Sequence, residues 1–168
     1  VICGAEVTSR EEVHCLCYFA DDKSLILFQE YINLHLPFVR NNPDYFGHQV
    51  LVDENEDIVY QEEKLLINAL SQSINEIESF VHSLNGIFIP AHVDKSKNSI
   101  YSQLGFFPSD LKVDAVEMSK KGVKENFASK HNELSDFTLI SSSDAHFIED
   151  IGTAYSVFNM ENLTFDEW

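Results

Sequence analysis

The stretch Leu139-Ile140-Ser141-Ser142-Ser143-Asp144-Ala145-His146 passes from an apolar run into polar side chains and ends on Asp-x-His. If Leu139 to Ser141 form a buried strand, Asp144 and His146 lie two residues apart beyond its end and can face the same way. A converging carboxylate and imidazole suit a divalent metal of the zinc, manganese or iron kind. Both residue types also cap helices and satisfy buried backbone groups, so the metal interpretation needs further ligands from the rest of the chain.

Other predicted strands also carry ligand-type side chains at or near their ends. Residues 1–8 and 13–19 are β-rich and flank a polar turn, and residues 87–89 form an apolar run that leads into Pro90-Ala91-His92. With a further strand predicted at 113–118, the carboxylates and imidazoles at these places are Glu6, His14, His92, Glu117, Asp144 and His146. Sites assemble at the carboxyl ends of strands in parallel α/β folds, so one rim of the fold is predicted to bind several metals. The alternative for each residue is a hydrogen-bonded interior group.

Helix and strand patterns alternate through most of the chain. Apolar spacing of three or four predicts a helix from Asp21 or Asp22 to Val39, and Ser73 with Glu76 forms a capping box for another helix that Asn85-Gly86 ends. The remaining predictions are a hairpin at 48–60, helices at 62–70 and 123–131, a loop at 93–110 and a last strand at 155–158. This order favours a parallel α/β sheet or barrel in one domain over residues 1–168.

Charge and hydropathy limit the classes of partner. The 168 residues include 28 acidic and 11 basic side chains, and the net charge of -17 argues against a nucleic-acid or anionic membrane surface unless a local patch overrides the total. No apolar run reaches the roughly 18 residues that span a bilayer, and no secretory signal pattern is present, so we expect a cytoplasmic protein.

Two other patterns have a structural interpretation and a metal interpretation. Cys15 and Cys17 share a strand face, and we interpret them as buried reduced thiols because no second cysteine pair follows for a zinc site. The acidic run Asp53-Glu54-Asn55-Glu56-Asp57 lacks the glycine and the later glutamate of a calcium loop. It is interpreted as a solvated turn.

Four separated motifs resemble one known family. They are Gly4-Ala5-Glu6-Val7-Thr8, Glu12-Val13-His14-Cys15-Leu16, Ile89-Pro90-Ala91-His92-Val93-Asp94 and Ser143-Asp144-Ala145-His146. In this order they are similar to the polymerase and histidinol phosphatase (PHP) superfamily, and most similar to its stand-alone bacterial metal-dependent phosphoesterases. The resemblance covers nearly the whole chain.

The resemblance implies a distorted (β/α)7 barrel with up to three divalent metals, of the manganese, zinc or iron kind, at its carboxyl rim. Glu6 would match the bridging carboxylate, His14 and His92 would join it around one metal, and Asp144 and His146 would each help to hold another. The implied reaction is hydrolysis of a phosphate ester by a metal-bound water. The His-x-His and Asp-His motifs that precede the glutamate in the family are absent, so the chain is expected to be the C-terminal portion of an incomplete barrel and inactive by itself.

Three further residues are candidates for supporting roles. Lys95 and Arg10 are predicted to contact a substrate phosphate, with solvated loop residues as the alternative, and Glu117 either orients a ligand or is a surface carboxylate. The leading hypothesis is a phosphoesterase acting on a small phosphorylated substrate, with nucleic acid unlikely as a partner. The alternatives are a non-catalytic scaffold or interaction domain and a nuclease-type PHP phosphodiesterase.

Overall fold

A computed structural model describes residues 2–162, 164 and 165, so Val1 of the predicted first strand lies outside the described residues. The strands are β1 (Cys3–Thr8), β2 (His14–Phe19), β3 (Val50–Val52), β4 (Ile58–Gln61), β5 (Ile87–Pro90), β6 (Val116–Met118) and β7 (Leu139–Ser141). The α-helices are α1 (Asp22–His35), α2 (Pro43–Phe46), α3 (Ile74–Ser83), α4 (Ile100–Leu104) and α5 (Lys120–Lys124). Short 3-10 helices cover Phe127–Lys130, Asn132–Asp136 and Ile148–Asp150. The protein therefore has a mixed α/β fold, as predicted.

The first sheet is antiparallel, in the order β1-β2-β5. A short polar turn joins β1 to β2, and a connection this short can only reverse the chain. The register places Glu6 opposite Leu16, and Leu16 opposite Ile89. The prediction of a parallel sheet is therefore wrong for these three strands.

Parallel pairing begins beyond β5. The amide of Asp114 donates to the carbonyl of Phe88 at 3.1 Å, and the amide of Val93 donates to the carbonyl of Glu117 at 2.9 Å, so β6 runs beside β5 in the same direction. β6 then pairs with β7 in parallel, with Glu117 opposite Ile140. No closed barrel is formed by the residues that the structure describes, and the barrel remains a prediction.

The main core lies between one face of the sheet and the helices α1 and α3. Alternate residues of the strands, such as Cys17 and Phe88, point into it and are fully buried. Phe19 packs against Phe28 of α1 with ring centroids 4.9 Å apart, and Ile77 of α3 is also fully buried. The predicted capping box of Ser73 and Glu76 is present at the start of α3.

The cysteines agree with the interpretation as reduced thiols. Cys15 and Cys17 are buried free thiols, and burial raises the pKa of each well above its ordinary value. Cys3 is free and exposed. A thiol that is buried and protonated in an apolar core is a poor metal ligand.

Two predicted elements are wrong, and one is replaced by two shorter ones. Residues 62–70 are not helical, because residues 63–65 pair with residues 39–41, where the amide of Leu65 donates to the carbonyl of Val39 at 2.8 Å, and residues 66 and 67 form a turn. Residues 155–158 form no strand. The helix predicted at 123–131 is divided into α5 and a 3-10 helix by Asn126, whose φ is 52°.

The predicted hairpin is present as β3 and β4, whereas α4 lies within the segment predicted to be a loop. Ser99 caps α4. Among the described residues, no helix has the length and apolar composition needed to cross a bilayer.

Candidate metal centre

The fold brings Glu6, His14 and His92 together from three strands. Thr8 pairs with His14 in the register of β1 and β2, so Glu6 and His14 are near neighbours on one face of the sheet. His92 follows the end of β5, and the amide of the preceding Ala91 donates to the carbonyl of His14 at 3.0 Å. Long-range strand pairing therefore assembles residues that are up to 86 positions apart in the sequence.

The donor atoms of these three residues have the spacing of ligands around one metal ion. All of them lie within 4.8 Å of one another. The Oε1 atom of Glu6 is 3.1 Å from Nδ1 of His14 and 3.5 Å from Nε2 of His92. Zinc-ligand bonds of about 2.0–2.2 Å in a tetrahedron put neighbouring ligand atoms roughly 3.3–3.6 Å apart. The donor set fits a divalent transition metal, and it is the one group of three ligand-type residues found among the described residues.

The electrostatics of the group favour a charged carboxylate. Hydrogen bonding to His14, and then to His92, holds the pKa of Glu6 well below its usual range despite partial burial. The two imidazole rings lie edge to face, with centroids 5.2 Å apart. Within the described residues, the Nδ1 atom of His92 is buried and has no hydrogen-bond partner. The low pKa of Glu6 favours its charged form, which is the form that binds a cation.

His92 is held in an uncommon backbone conformation by Glu117. The φ of His92 is 31°, and its amide donates to Oε2 of Glu117 at 2.9 Å. The other carboxylate oxygen of Glu117 accepts a hydrogen bond from the hydroxyl of Ser142. Glu117 is only 3% exposed, so its interpretation as a surface carboxylate is wrong. Its carboxylate holds the backbone of the loop that carries His92.

Asp144 and His146 are not among the three clustered donors. The carboxylate of Asp144 forms an ion pair with Lys95 and lies 3.8 Å from Nδ1 of His146 through Oδ1. His146 is largely exposed and lines a cavity of about 330 Å³ together with Glu6 and His14. The predicted role of Asp144 and His146 as metal ligands stays a prediction, because they form a pair of possible donors without a third among the described residues.

The two candidate phosphate contacts differ in their surroundings. Lys95 lies just after His92, and its amide donates to the carbonyl of His92 at 2.9 Å. Arg10 is exposed in the turn after β1, and its only ion pair within the described part of the chain is with Glu11 at 3.8 Å. Lys95 is therefore adjacent to a candidate ligand, whereas Arg10 has no observed contact with the group.

The structure also reveals a connection that the sequence did not predict. The carboxylate of Asp94 accepts hydrogen bonds from the amide of Ser119, at 2.6 Å, and from its hydroxyl. Gly122 of α5 packs against Asp94 so closely that a Cβ atom there would collide with its side chain. Asp94 and Ser119 are 25 positions apart in the chain, so no local sequence pattern predicts their contact.

Comparison with known proteins agrees with the resemblance of the four sequence motifs to the PHP superfamily. A family model described as PHP-associated matches residues 128–167, which include Asp144 and His146. The chain is related to the PHP superfamily. The chain is 29% identical over 111 residues to the uncharacterised protein YqxK of Bacillus subtilis (strain 168), a match that covers 61% of the chain and 28% of YqxK.

Two solved structures resemble nearly the whole chain. One is the lesion-specific endonuclease PfuEndoQ of Pyrococcus furiosus, with a TM-score of 0.72, 20% identity and coverage of 98% of this chain and 36% of PfuEndoQ. The other is Endonuclease Q with a 27-mer duplex substrate that has an abasic lesion at the active site, with a TM-score of 0.70, 19% identity and coverage of 98% and 37%. At this identity the likeness shows the fold, and the chain spans about a third of the length of each solved relative.

These relatives correct two predictions. Both solved structures are hydrolytic enzymes described as endonucleases, and one holds duplex DNA, which favours the nuclease-type alternative over a phosphoesterase acting on a small phosphate ester. The prediction that nucleic acid is an unlikely partner is also wrong. It relied on the net charge of -17, which is a property of the whole surface and does not describe the charge beside the site.

Proposed function

We propose that this protein is a metal-dependent, nuclease-type hydrolase that cleaves phosphodiester bonds in DNA and holds one of its metals at Glu6, His14 and His92. The observation that carries the proposal is the approach of three ligand atoms, from β1, β2 and the loop after β5, to within 4.8 Å of one another. The choice of DNA is supported by the endonucleases that share the fold. The chain spans about a third of the length of those enzymes, so the reaction is proposed for the full-length protein.

The donor set suggests which metals to test. Imidazole and carboxylate ligands suit zinc, manganese and iron(II). Three protein ligands leave at least one coordination position open, as in catalytic rather than structural zinc sites. A metal bound here supplies Lewis-acid activation of the phosphodiester and of the attacking water.

The residues around the group have distinct proposed tasks. Glu6 contributes the negative charge that holds the metal, and its carboxylate is directed by contacts to both histidines. Glu117 keeps the His92 loop in place through the amide of His92. Lys95, now paired with Asp144, would supply a positive charge for a phosphate near the metal. Asp144 and His146 are proposed as ligands for further metals.

Metal binding is tested first, on the 168-residue chain. Calorimetric titration with Zn²⁺ and Mn²⁺ is expected to give one site that Glu6→Gln and His92→Ala each remove. The matched control is His48→Ala, because His48 lies outside the candidate group. Within the described residues, the ring of His48 has a hydrogen bond only with Gln61. Equal binding by wild type and by both site variants would exclude this metal site.

Cleavage is tested with the full-length protein and a labelled DNA duplex that contains an abasic lesion. The expected result is metal-dependent cutting that chelation stops and that His92→Ala reduces by about two orders of magnitude or more. The same duplex without the lesion serves as the substrate control. Metal binding without any cleavage of these substrates would overturn the nuclease proposal and favour a non-catalytic domain.

A further inference from the structure

Positive charge is concentrated in one segment of this acidic chain. Residues 95–130 contain seven of the 11 basic residues and only four of the 28 acidic residues, which gives them a net charge of +3. The rest of the chain, with four basic and 24 acidic residues, has a net charge of -20. The average charge therefore conceals a segment of opposite sign.

The fold places much of this charge beside the candidate metal centre. Lys95 and Lys97 follow His92 in the loop after β5, and α5, which contains Lys120, Lys121 and Lys124, begins just after β6. The two regions are tied together because Asp94 accepts hydrogen bonds from Ser119 and contacts Gly122. Since β5 and β6 run in the same direction, both regions lie at the carboxyl ends of their strands, on the side of His92.

The lysines of this region face outward. Gly122 is buried against Asp94, whereas Lys97, Lys120, Lys121 and Lys124 are exposed. Lys121 has an ion pair with Glu125 at 3.8 Å. No ion pair involves Lys97, Lys120 or Lys124 in the part of the chain that the structure describes. Lys120 and Lys124 are four residues apart in α5 and share one face of it.

We infer that the surface formed by Lys97, Lys120, Lys121 and Lys124, here called the lysine rim, binds the phosphate backbone of DNA next to Glu6, His14 and His92. The inference rests on the proposed function and names the part of the surface that receives its substrate. A strongly acidic protein repels DNA over most of its surface, so contact is favoured only where lysines are exposed and acidic residues are sparse. Phosphate contacts of this kind fix position without reading the base sequence.

The test is DNA binding in EDTA, measured by fluorescence anisotropy with a labelled duplex of arbitrary sequence. We expect wild-type affinity to fall steeply with salt. Lys120→Glu/Lys124→Glu is expected to weaken binding by about tenfold or more and to reduce the salt slope by roughly two. Lys120→Arg/Lys124→Arg is expected to keep the affinity, because both charges remain.

The matched control is Lys23→Glu/Lys112→Glu. It makes the same change in net charge, but Lys23 lies in α1 and Lys112 precedes β6 at the end opposite α5. This control is expected to bind DNA within about twofold of wild type, because it removes no phosphate contact. Thermal unfolding of every variant shows whether the exposed substitutions leave the fold intact.

Three outcomes would overturn the inference that the lysine rim binds DNA. They are no binding by the wild type at low salt, equal weakening by the rim variant and its control, and binding to acidic phospholipid vesicles instead of DNA. Because the assay contains EDTA, failure of the metal site leaves its result unchanged. If DNA binding depends on Lys120 and Lys124 but no metal-dependent cleavage is found, the DNA-binding role of the lysine rim is supported and the proposed function is rejected.

Discussion

Replacing Glu117 with alanine removes the acceptor that fixes the loop of His92. In the wild type, Oε2 of Glu117 accepts from the His92 amide at 2.9 Å, and Oε1 accepts from the Ser142 hydroxyl. A hydrogen bond to a charged group contributes about 1.5–3 kcal/mol. Removing a buried carboxylate also relieves the cost of its desolvation, which offsets part of the loss. We expect Glu117→Ala to lower the free energy of unfolding by about 2–3 kcal/mol.

The same change is expected to weaken the metal centre. The φ of 31° at His92 is a strained conformation, of a kind that costs roughly 1–3 kcal/mol and persists only when neighbours enforce it. Without Glu117 the loop relaxes and His92 moves away from Glu6. Loss of a group that orients a ligand reduces metal affinity by about 10–100-fold.

Urea denaturation followed by circular dichroism measures the first effect, and calorimetric titration with Zn²⁺ measures the second. Glu117→Gln keeps one carbonyl oxygen for the His92 amide, so it is expected to lose less stability and less affinity than Glu117→Ala. Glu54→Ala, at the exposed tip of the β3–β4 hairpin, is the control for removing a carboxylate. The reasoning is refuted if Glu117→Ala has wild-type stability, or if its stability falls while its zinc affinity does not change.

Two further predictions concern stability. Phe28 is fully buried among aromatic rings, so Phe28→Ala is expected to lower the free energy of unfolding, measured by urea denaturation, by about 3–5 kcal/mol. The control Phe38→Ala, at an exposed position, is expected to change it by less than about 0.5 kcal/mol. Similar losses in both variants would contradict this packing. Burial raises the pKa of Tyr31 to about 12, so the unfolded state releases this proton first and stability falls as pH rises from about 10 to 12. Urea denaturation over this pH range should show a shallower fall for Tyr31→Phe and an unchanged fall for the exposed Tyr45→Phe, and identical curves for all three proteins would reject the assignment.

The sequence predicted the elements whose signals are local. The capping box of Ser73 and Glu76 lies within four residues and starts α3 as expected. The turn after β1 and the β3–β4 hairpin are also formed by neighbouring residues. Segments whose partners are distant were predicted poorly. Within the predicted helix 62–70, residues 63–65 instead pair with residues 39–41. Tertiary hydrogen bonds outweighed helix propensity there.

The candidate ligands show the same division. Glu6, His14 and His92 were selected from the sequence because each lies at or near the end of a predicted strand, and the structure brings all three together. Asp144 was selected by the same argument; it forms an ion pair with Lys95, and its role as a ligand of a second metal stays a prediction. A pattern along one strand identifies which side chains reach a rim, but it does not contain the positions of the other strands.

By itself, the sequence determined the mixed α/β class, the residue types available for a metal and the motifs of the PHP relationship. Only the tertiary structure decided that β1, β2 and β5 are antiparallel, that the buried Glu117 accepts from the His92 amide, and that lysines after β5 and β6 lie on the same side as the candidate ligand His92. The reason is physical. Secondary structure and caps depend on contacts within a few residues, whereas strand order, burial and local charge depend on segments that are far apart in the chain.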